Sequence, residues 1–326
     1  MGRYPGRRVF LTLPPETAHR LAIRLLSLPL PWRRLGGDAP QDLRLNVSLA
    51  GIPLANPIGL AAGFDKGCAH LDHLGELGFG YVVGGTLTLR PRAGKPKPRI
   101  VRDPQTRALV NAMGLPNPGV EAAARRLART PRTAPRFASL ADEAVEDAVA
   151  ALGLLEAQVD GFELNASSPN AGWRHEASHV TALVRALRGR TDKPLLVKLP
   201  RFETGEERDA VLAMAEAAVA AGASGLTCSN TRPVEESRLG AGRGGLSGRP
   251  LTEGTPGIVR SVRATVGDDL PVNASGGIFT AEDASECIRA GATTVQVYTA
   301  LVYEGPGIVG ELVRGLLEAT VTNTTG

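Results

Sequence analysis

The sequence predicts an α/β protein, a (β/α)8 TIM barrel preceded by a short N-terminal helical extension and a β-hairpin. Three observations predict it: eight short apolar or β-branched segments, an Ala- and Leu-rich helical segment after each, and a length of 326 residues with 39 Gly. Barrels of this kind commonly form one domain of about 250 residues or more, whereas open doubly wound sheets have fewer strands. We therefore expect one large barrel domain.

The predicted strands and helices alternate along the chain. Each strand is a short aliphatic run, as expected for a parallel sheet that is covered on both faces. Before them, residues 43–55 predict a hairpin, because a glycine turn separates two strand-like runs. The strands are predicted at 58–62, 81–88, 136–140, 161–167, 194–199, 225–230, 271–275 and 293–299, and the helices at 66–78, 118–129, 142–157, 178–189, 205–221, 254–266, 280–290 and 306–320.

The first 36 residues differ from the rest of the chain in charge. They contain seven Arg and one Glu, so that 30 of the 37 basic and 32 of the 33 acidic residues lie beyond them. A short basic amphipathic helix can pack on a core or contact anionic lipid. We expect residues 1–42 to form a membrane-facing extension and residues 43–326 to form the barrel. The apolar stripe of the helix consists of Ala18, Leu21, Ala22, Leu25 and Leu26.

Other classes of protein lack support in the sequence. Cys68, Cys228 and Cys287 form no C-x-x-C pair, so we expect a reducing compartment and neither an iron–sulfur nor a zinc site. The segment HEASH at 175–179 matches a zinc-protease pattern, but no helical periodicity surrounds it, and we expect no metal. No apolar run is long enough to span a membrane, and no aromatic residues interleave with the basic ones as nucleic-acid binding favours. The expected location is the cytoplasm, with peripheral contact at the cytoplasmic face of the membrane.

Polar residues after the predicted strands are candidates for an active site, because barrel enzymes build it from the loops at the carboxyl ends of the strands. Gly276 and Gly277 follow the seventh strand, and Tyr298 and Thr299 follow the eighth. Glycines allow backbone N–H groups to approach phosphate oxygens, and these two loops most often hold phosphate in this fold. The sequence therefore predicts a phosphate site there, with ordinary left-handed turns as the alternative.

A lysine and several amide side chains indicate what else the site binds. Lys198 ends the fifth strand and would place a cation beside an electron-rich ring that gains negative charge on reduction. Amides and a hydroxyl supply paired donors and acceptors, which fit a flat ring edged with alternating N–H and C=O groups. The residues that supply them are Asn111, Asn165, Asn170, Asn230 and Thr231.

Eight segments, distributed over nearly the whole chain, resemble the corresponding segments of the dihydroorotate dehydrogenases, and most closely those of the membrane-associated class 2 enzymes. The resemblance implies oxidation of (S)-dihydroorotate to orotate in pyrimidine synthesis, with FMN as cofactor. It rests on NPIGLAAGFDK at 56–66, GKPKPR at 94–99, NAMG at 111–114, ELNASSPN at 163–170, SNT at 229–231, GGLSGRPL at 244–251, SGGI at 275–278 and IRAGATTVQVYTAL at 288–301.

The resemblance also implies a role for each matched residue. Ser168 corresponds to the base that removes the C5 proton while the C6 hydride passes to the flavin; class 1 enzymes have Cys there, so Ser favours class 2. A serine needs a closed site to act as a base. By matched position, the substrate would be held by Lys66, Asn111, Asn165, Asn170, Asn230 and Thr231, and FMN by Ala62, Gly63, Gly85, Thr86, Lys198, Ser247, Gly248, Gly276, Gly277, Tyr298 and Thr299.

In class 2 enzymes the N-terminal extension forms a lipid-facing tunnel through which quinone reoxidises the flavin. Residues 14–26, PPETAHRLAIRLL, resemble its first helix, and prolines shorten the second. Arg102 and Tyr298 match positions near the end of the tunnel, so the resemblance implies quinone as the electron acceptor. His19, on the same helix, is expected to make only a structural contact. The oligomeric state is not indicated.

Departures from the family pattern leave alternatives open. The third strand offers only Ser139 where the family has Asn, Leu115 replaces Phe, and the loop at 171–179 is changed. One alternative is an FMN oxidoreductase that acts on another dihydropyrimidine or cyclic amide acid. The other, from a different class, is a non-catalytic flavin- or phosphate-binding barrel. A G-x-G-x-x-G pattern at 240–245 follows no predicted strand, and we interpret it as a flexible loop.

Overall fold

The barrel predicted from the sequence is confirmed. The computed structural model describes residues 6–141, 144–167 and 176–324. Eight parallel strands close into a barrel in which each strand pairs with the next and the eighth pairs with the first. The strands are β1 Ile58–Leu60, β2 Tyr81–Leu87, β3 Arg136–Leu140, β4 Gly161–Asn165, β5 Leu195–Lys198, β6 Gly225–Cys228, β7 Val272–Ser275 and β8 Thr294–Val297.

A helix follows each strand and packs on the outside of the barrel. Alternate strand residues, such as Phe162 and Leu164 of β4, are fully buried in the core between strands and helices, while their neighbours point into the barrel. His179, the last residue of the HEASH segment, lies in the first turn of the fourth helix, within the range 178–189 that the sequence predicts. The helices are α1 Leu71–Glu76, α2 Val120–Leu127, α3 Val145–Leu155, α4 Ala177–Arg188, α5 Gly205–Ala220, α6 Thr255–Val266, α7 Ala281–Arg289 and α8 Ile308–Thr324.

The predicted hairpin closes the amino-terminal end of the barrel. Its strands, Val47–Leu49 and Ile52–Leu54, pair antiparallel, and their last residues pack against the side chains of Tyr81, Phe137 and Leu196 inside the barrel. Burial of these apolar side chains seals this end. The carboxyl ends of the strands therefore form the end at which a ligand can enter.

A second, antiparallel sheet was not predicted. Its strands lie in the order Arg232–Glu235, Arg243–Gly248, Ala108–Asn111 and Ile100–Asp103. The interpretation of 240–245 as a flexible loop was wrong for residues 243–245, because they belong to the paired strand Arg243–Gly248. A Cβ on Gly245 would lie 2.0 Å from the Thr231 hydroxyl, so close packing requires glycine. Glycines leave no side-chain alternation from which a strand can be predicted.

The N-terminal extension forms three short helices, Arg7–Thr12, Pro15–Leu26 and Trp32–Leu35, and the predicted amphipathic helix is the second. It is joined to the barrel by an ion pair in which Arg99 Nη2 lies 2.9 Å from Glu16 Oε2. Arg102 donates to the Phe10 carbonyl at 2.7 Å. Within the described ranges, no helix is both long and apolar enough to cross a bilayer.

Candidate active site

A cavity opens at the carboxyl ends of the barrel strands. With its mouth, it contains about 1290 Å³ of space between atoms. Gly85 does not line it but lies directly behind, where its carbonyl accepts a hydrogen bond from the Gly63 amide at 2.7 Å. Ser168 and Asn170 lie outside the described residues. The predicted residues that line the cavity are Ala62, Gly63, Lys66, Thr86, Asn111, Asn165, Lys198, Asn230, Thr231, Ser247, Gly248, Gly276, Gly277, Tyr298 and Thr299.

Asn165 is held in place by hydroxyl groups on both sides of its amide. Its Nδ2 donates to Thr86 Oγ1 at 3.1 Å, and its Oδ1 accepts from Ser167 Oγ at 2.8 Å. Ser139 Oγ lies 3.0 Å from Thr86 Oγ1, so β3 contributes a hydroxyl to this network at the strand where the family pattern has Asn. These hydrogen bonds fix which edge of the Asn165 amide faces the cavity.

Ser167 also orients a second asparagine. Asn230 Nδ2 donates to Ser167 Oγ at 2.8 Å, and Asn230 Oδ1 accepts from the Thr231 amide at 2.8 Å. The sequence reasoning missed Ser167, although its place between the two predicted residues Asn165 and Ser168 was a signal. Asn111, on the antiparallel sheet, donates to the Gly245 carbonyl at 3.3 Å on the opposite side of the cavity.

Lys66 lies in the loop after β1. Its Nζ donates to the Gly63 carbonyl at 2.5 Å. Burial lowers the pKa of Lys66 to about 8, with the nearby Asp65 carboxylate acting in the opposite direction. A cation in this position is suited to an anionic ligand group, and such a group would raise the pKa of Lys66 again.

Lys198 extends into the barrel from the end of β5 and is only 6% exposed. Its Nζ lies 3.4 Å from Gln296 Oε1, and Gln296 Nε2 donates to Glu163 Oε2 at 2.9 Å. The sequence reasoning assigned nothing to Glu163 or Gln296. A charged residue and an amide residue in the middle of short strands predicted to be buried were the available signal.

The loop after β7 is rigidly shaped around its two glycines. Gly276 and Gly277 have φ values of 121° and 78°, and their carbonyls accept hydrogen bonds from Thr255 at 2.9 Å and Thr252 at 2.5 Å. A Cβ on Gly277 would lie 2.3 Å from the Thr252 amide nitrogen. Both the backbone conformation and the close packing therefore require glycine beside the cavity.

A second cavity, lined mainly by apolar residues, lies under the N-terminal extension and contains about 1250 Å³ of space between atoms. Arg102 and His19 are part of its wall, and Ile100, Leu109 and Tyr298 line both cavities. His19, for which we expected a structural contact, packs its ring against Phe64 with 5.4 Å between the ring centroids and also lines this cavity. Burial, with a smaller contribution from Lys66, lowers the pKa of His19 to about 3, so that its ring is neutral near pH 7.

Comparisons with known proteins agree with this architecture. The sequence model described as dihydroorotate dehydrogenase matches residues 44–319. A relative named dihydroorotate dehydrogenase (quinone) from Anaeromyxobacter sp. (strain K) is 39% identical over 95% of this chain and 90% of its own length. One of the same name from Deinococcus deserti is 38% identical over 93% and 91%. The crystal structure of DHODH from Eimeria tenella in complex with ferulenol has a TM-score of 0.81 and 27% identity, covering 98% of this chain and 96% of that one. The chain belongs to the dihydroorotate dehydrogenase family.

Proposed function

We propose that the protein is an FMN-dependent dihydroorotate dehydrogenase that uses a quinone as electron acceptor. In this reaction dihydroorotate loses one hydrogen from C5 and one from C6, orotate gains the C5=C6 double bond, and the quinone becomes quinol. The observation that carries the proposal is the pair of cavities that share Tyr298, one lined by asparagines and lysines and the other mainly apolar. The family match and the names of the relatives support it.

FMN fits the residues around the first cavity. Gly276 and Gly277 line the cavity and carry no side chain that would separate their backbone from a phosphate group, and Thr299 and Ser247, whose hydroxyls lie 3.0 Å apart, add hydrogen-bonding groups. When bound, the flavin takes up the two electrons of the substrate and passes them on. Lys198 supplies a positive charge for its ring.

The remaining polar groups suit dihydroorotate. We propose that Asn111, Asn165 and Asn230 pair with its alternating N–H and C=O groups, and that Lys66 binds its carboxylate. Hydrogen bonds hold the asparagine amides in place before a substrate arrives, which lowers the entropy lost on binding. Ser168, by its matched position, is proposed to remove the C5 proton.

The second cavity suits a quinone. Its apolar wall can hold a quinone ring and tail, and Arg102 and the neutral His19 provide polar groups for the quinone oxygens. We propose that residues 1–42 form this quinone-binding extension and that residues 43–326 form the flavin-binding barrel. Val9, Leu28, Leu30 and Leu35 are exposed on the extension and lie among its arginines. This composition supports peripheral contact with an anionic membrane surface, at the cytoplasmic face.

An anaerobic absorbance spectrum tests the proposal. The purified protein should be yellow, should be bleached by dihydroorotate and should regain its colour when a short-chain quinone is added. A yellow protein that is bleached only by another dihydropyrimidine or cyclic amide acid would replace the proposed substrate. A colourless protein that takes up no FMN would favour the non-catalytic phosphate-binding alternative.

A further inference from the structure

Glu163 is a fully buried carboxylate inside the barrel. It lies on β4, two residues before Asn165, and its exposed fraction is 0%. Its Oε2 accepts hydrogen bonds from Gln296 Nε2 at 2.9 Å and from Thr227 Oγ1 at 3.0 Å. Within the described residues, its Oε1 has no hydrogen-bond partner.

Such a residue is costly where an apolar one would fit. Removing a carboxylate from water is unfavourable unless buried hydrogen-bond partners or a nearby cation replace the lost hydration. The next inward-facing layer of the barrel is apolar, with Tyr81, Phe137 and Leu196 packed against the hairpin. An apolar side chain at position 163 could therefore have extended this apolar layer. The presence of Glu163 points to an electrostatic role.

The side-chain amide of Gln296 connects Glu163 to Lys198, and we call this arrangement the amide bridge. The Gln296 oxygen lies 3.4 Å from Lys198 Nζ, while its nitrogen donates to Glu163. A carboxylate only accepts hydrogen bonds and an ammonium only donates them. If the Gln296 amide were rotated by 180°, its oxygen would face the Glu163 carboxylate and its NH2 group would face the Lys198 ammonium, and neither contact would be a hydrogen bond. Glu163 thus determines that the amide oxygen faces Lys198.

Further hydrogen bonds fix the position of Glu163. Thr227 Oγ1 accepts from Asn273 Nδ2 at 3.2 Å, and Asn273 Oδ1 accepts from Thr294 Oγ1 at 2.7 Å. These residues lie on β6, β7 and β8 and are all fully buried. Because the network spans several strands, the carboxylate cannot turn away from Gln296 without breaking it.

We propose that Glu163 is a positioning residue that, through the amide bridge, holds the Lys198 ammonium where it stabilises the reduced flavin. This inference rests on the proposed function only in requiring a flavin beside Lys198. Glu163 itself need not touch the flavin or the substrate. Its effect should therefore appear in the reduction potential of the bound flavin and should depend on Lys198.

The test is the two-electron potential of the flavin in Glu163→Gln, measured in the purified holoprotein against redox dyes. The side-chain amide introduced at position 163 can donate a hydrogen bond to the Gln296 oxygen or accept one from the Gln296 nitrogen. Gln296 would therefore lose its fixed orientation, and Lys198 would lose its fixed position. We expect the equilibrium to shift about tenfold towards oxidised flavin, which is a potential about 30 mV lower. An unchanged potential would overturn the proposal. A higher potential would also overturn it, because it would mean that Glu163 acts directly through its own negative charge.

A double-variant comparison tests whether the effect passes through Lys198. In a Lys198→Met background, Glu163→Gln should produce no further change in potential, whereas additive changes would refute the amide bridge. Gln296→Met interrupts the bridge from the other side and should also lower the potential. This second variant keeps the proposal testable if Glu163→Gln does not fold, and an unchanged potential in Gln296→Met would contradict the proposal.

A matched control separates positioning from loss of stability. Thr294→Val removes a hydroxyl from the far end of the same network and leaves the amide bridge in place. It should lower the melting temperature without changing the flavin potential. A potential lowered equally in Thr294→Val would indicate general loosening of the barrel and would count against the proposal. Because dye reduction needs no dihydroorotate, failure of this inference is distinguishable from failure of the proposed substrate.

Discussion

Tyr298 lies against Phe64 in an edge-to-face arrangement, with 5.8 Å between their ring centroids, at the boundary between the two cavities. Phe64 in turn contacts His19, with the ring centroids 5.4 Å apart. Burial raises the pKa of Tyr298 to about 12, so its hydroxyl stays neutral and lies 3.4 Å from the Gly63 carbonyl. The aromatic rings separate a polar site from an apolar one. Substitutions beside the polar cavity should therefore affect the reduction of the flavin by dihydroorotate, and substitutions beside the apolar cavity should affect its reoxidation by quinone.

Filling the apolar cavity should impair quinone reduction alone. Ala22 lines this cavity on the amphipathic helix and does not line the barrel cavity. In Ala22→Phe, the added ring should occupy the proposed quinone site and raise the quinone KM about tenfold, the effect of losing about 1.4 kcal/mol of binding. Anaerobic bleaching by dihydroorotate should keep its rate. Leu154→Phe, on the exposed face of α3, is the control, and equal slowing of both half-reactions in Ala22→Phe would argue against a separate quinone site.

Binding of the substrate carboxylate should weaken at alkaline pH. Lys66, whose pKa is lowered to about 8 by burial, is charged below that pH and neutral above it. The KM for dihydroorotate should therefore rise as the pH passes 8, by at most about tenfold per pH unit. Lys66→Arg should remove this rise because arginine stays protonated. A KM that is flat through pH 9 in the parent protein would exclude Lys66 as the carboxylate partner.

The two adjacent serines should have separable roles. Ser168→Ala should slow flavin reduction by about 10²- to 10⁴-fold while FMN stays bound, because it removes the proposed base. Ser167→Ala should instead raise the KM for dihydroorotate, since Asn165 and Asn230 each lose a hydrogen bond worth about 1 kcal/mol. Stopped-flow bleaching over a range of substrate concentrations separates the two effects. An unchanged rate in Ser168→Ala would exclude Ser168 as the base.

His19 should make the protein less stable in acid. Burial lowers its pKa to about 3 in the folded chain, whereas an unfolded histidine titrates near 6.5. Between these values the unfolded chain binds the additional proton, so the stabilising contribution of His19 is complete above about pH 6.5 and is lost as the pH falls towards 3. The melting temperature of His19→Gln should fall less between pH 7.5 and pH 5 than that of the parent protein. Parallel curves would show that His19 is not buried in its neutral form.

The sequence by itself determined the barrel and the end of it that holds the site. Short apolar runs at regular spacing are local features, and parallel strands place the residues that follow them at one end of the barrel. Lys66, Asn165 and Lys198 could therefore be assigned to a common site without knowing their distances. The role proposed for Ser168 came from the resemblance of the NASSPN segment to the family, and not from a local pattern.

Only the tertiary structure decided which residues support that site. Gln296 and Glu163 are 133 positions apart, and nothing local in either strand indicates that closure of the barrel brings their side chains to 2.9 Å. His19 lies in a cavity wall because its helix packs against the strand Ile100–Asp103 of the antiparallel sheet, and no local pattern in either segment predicts that contact. Hydrogen bonds and cavities depend on three-dimensional packing between distant segments, whereas periodicity reports only the local backbone and one buried face.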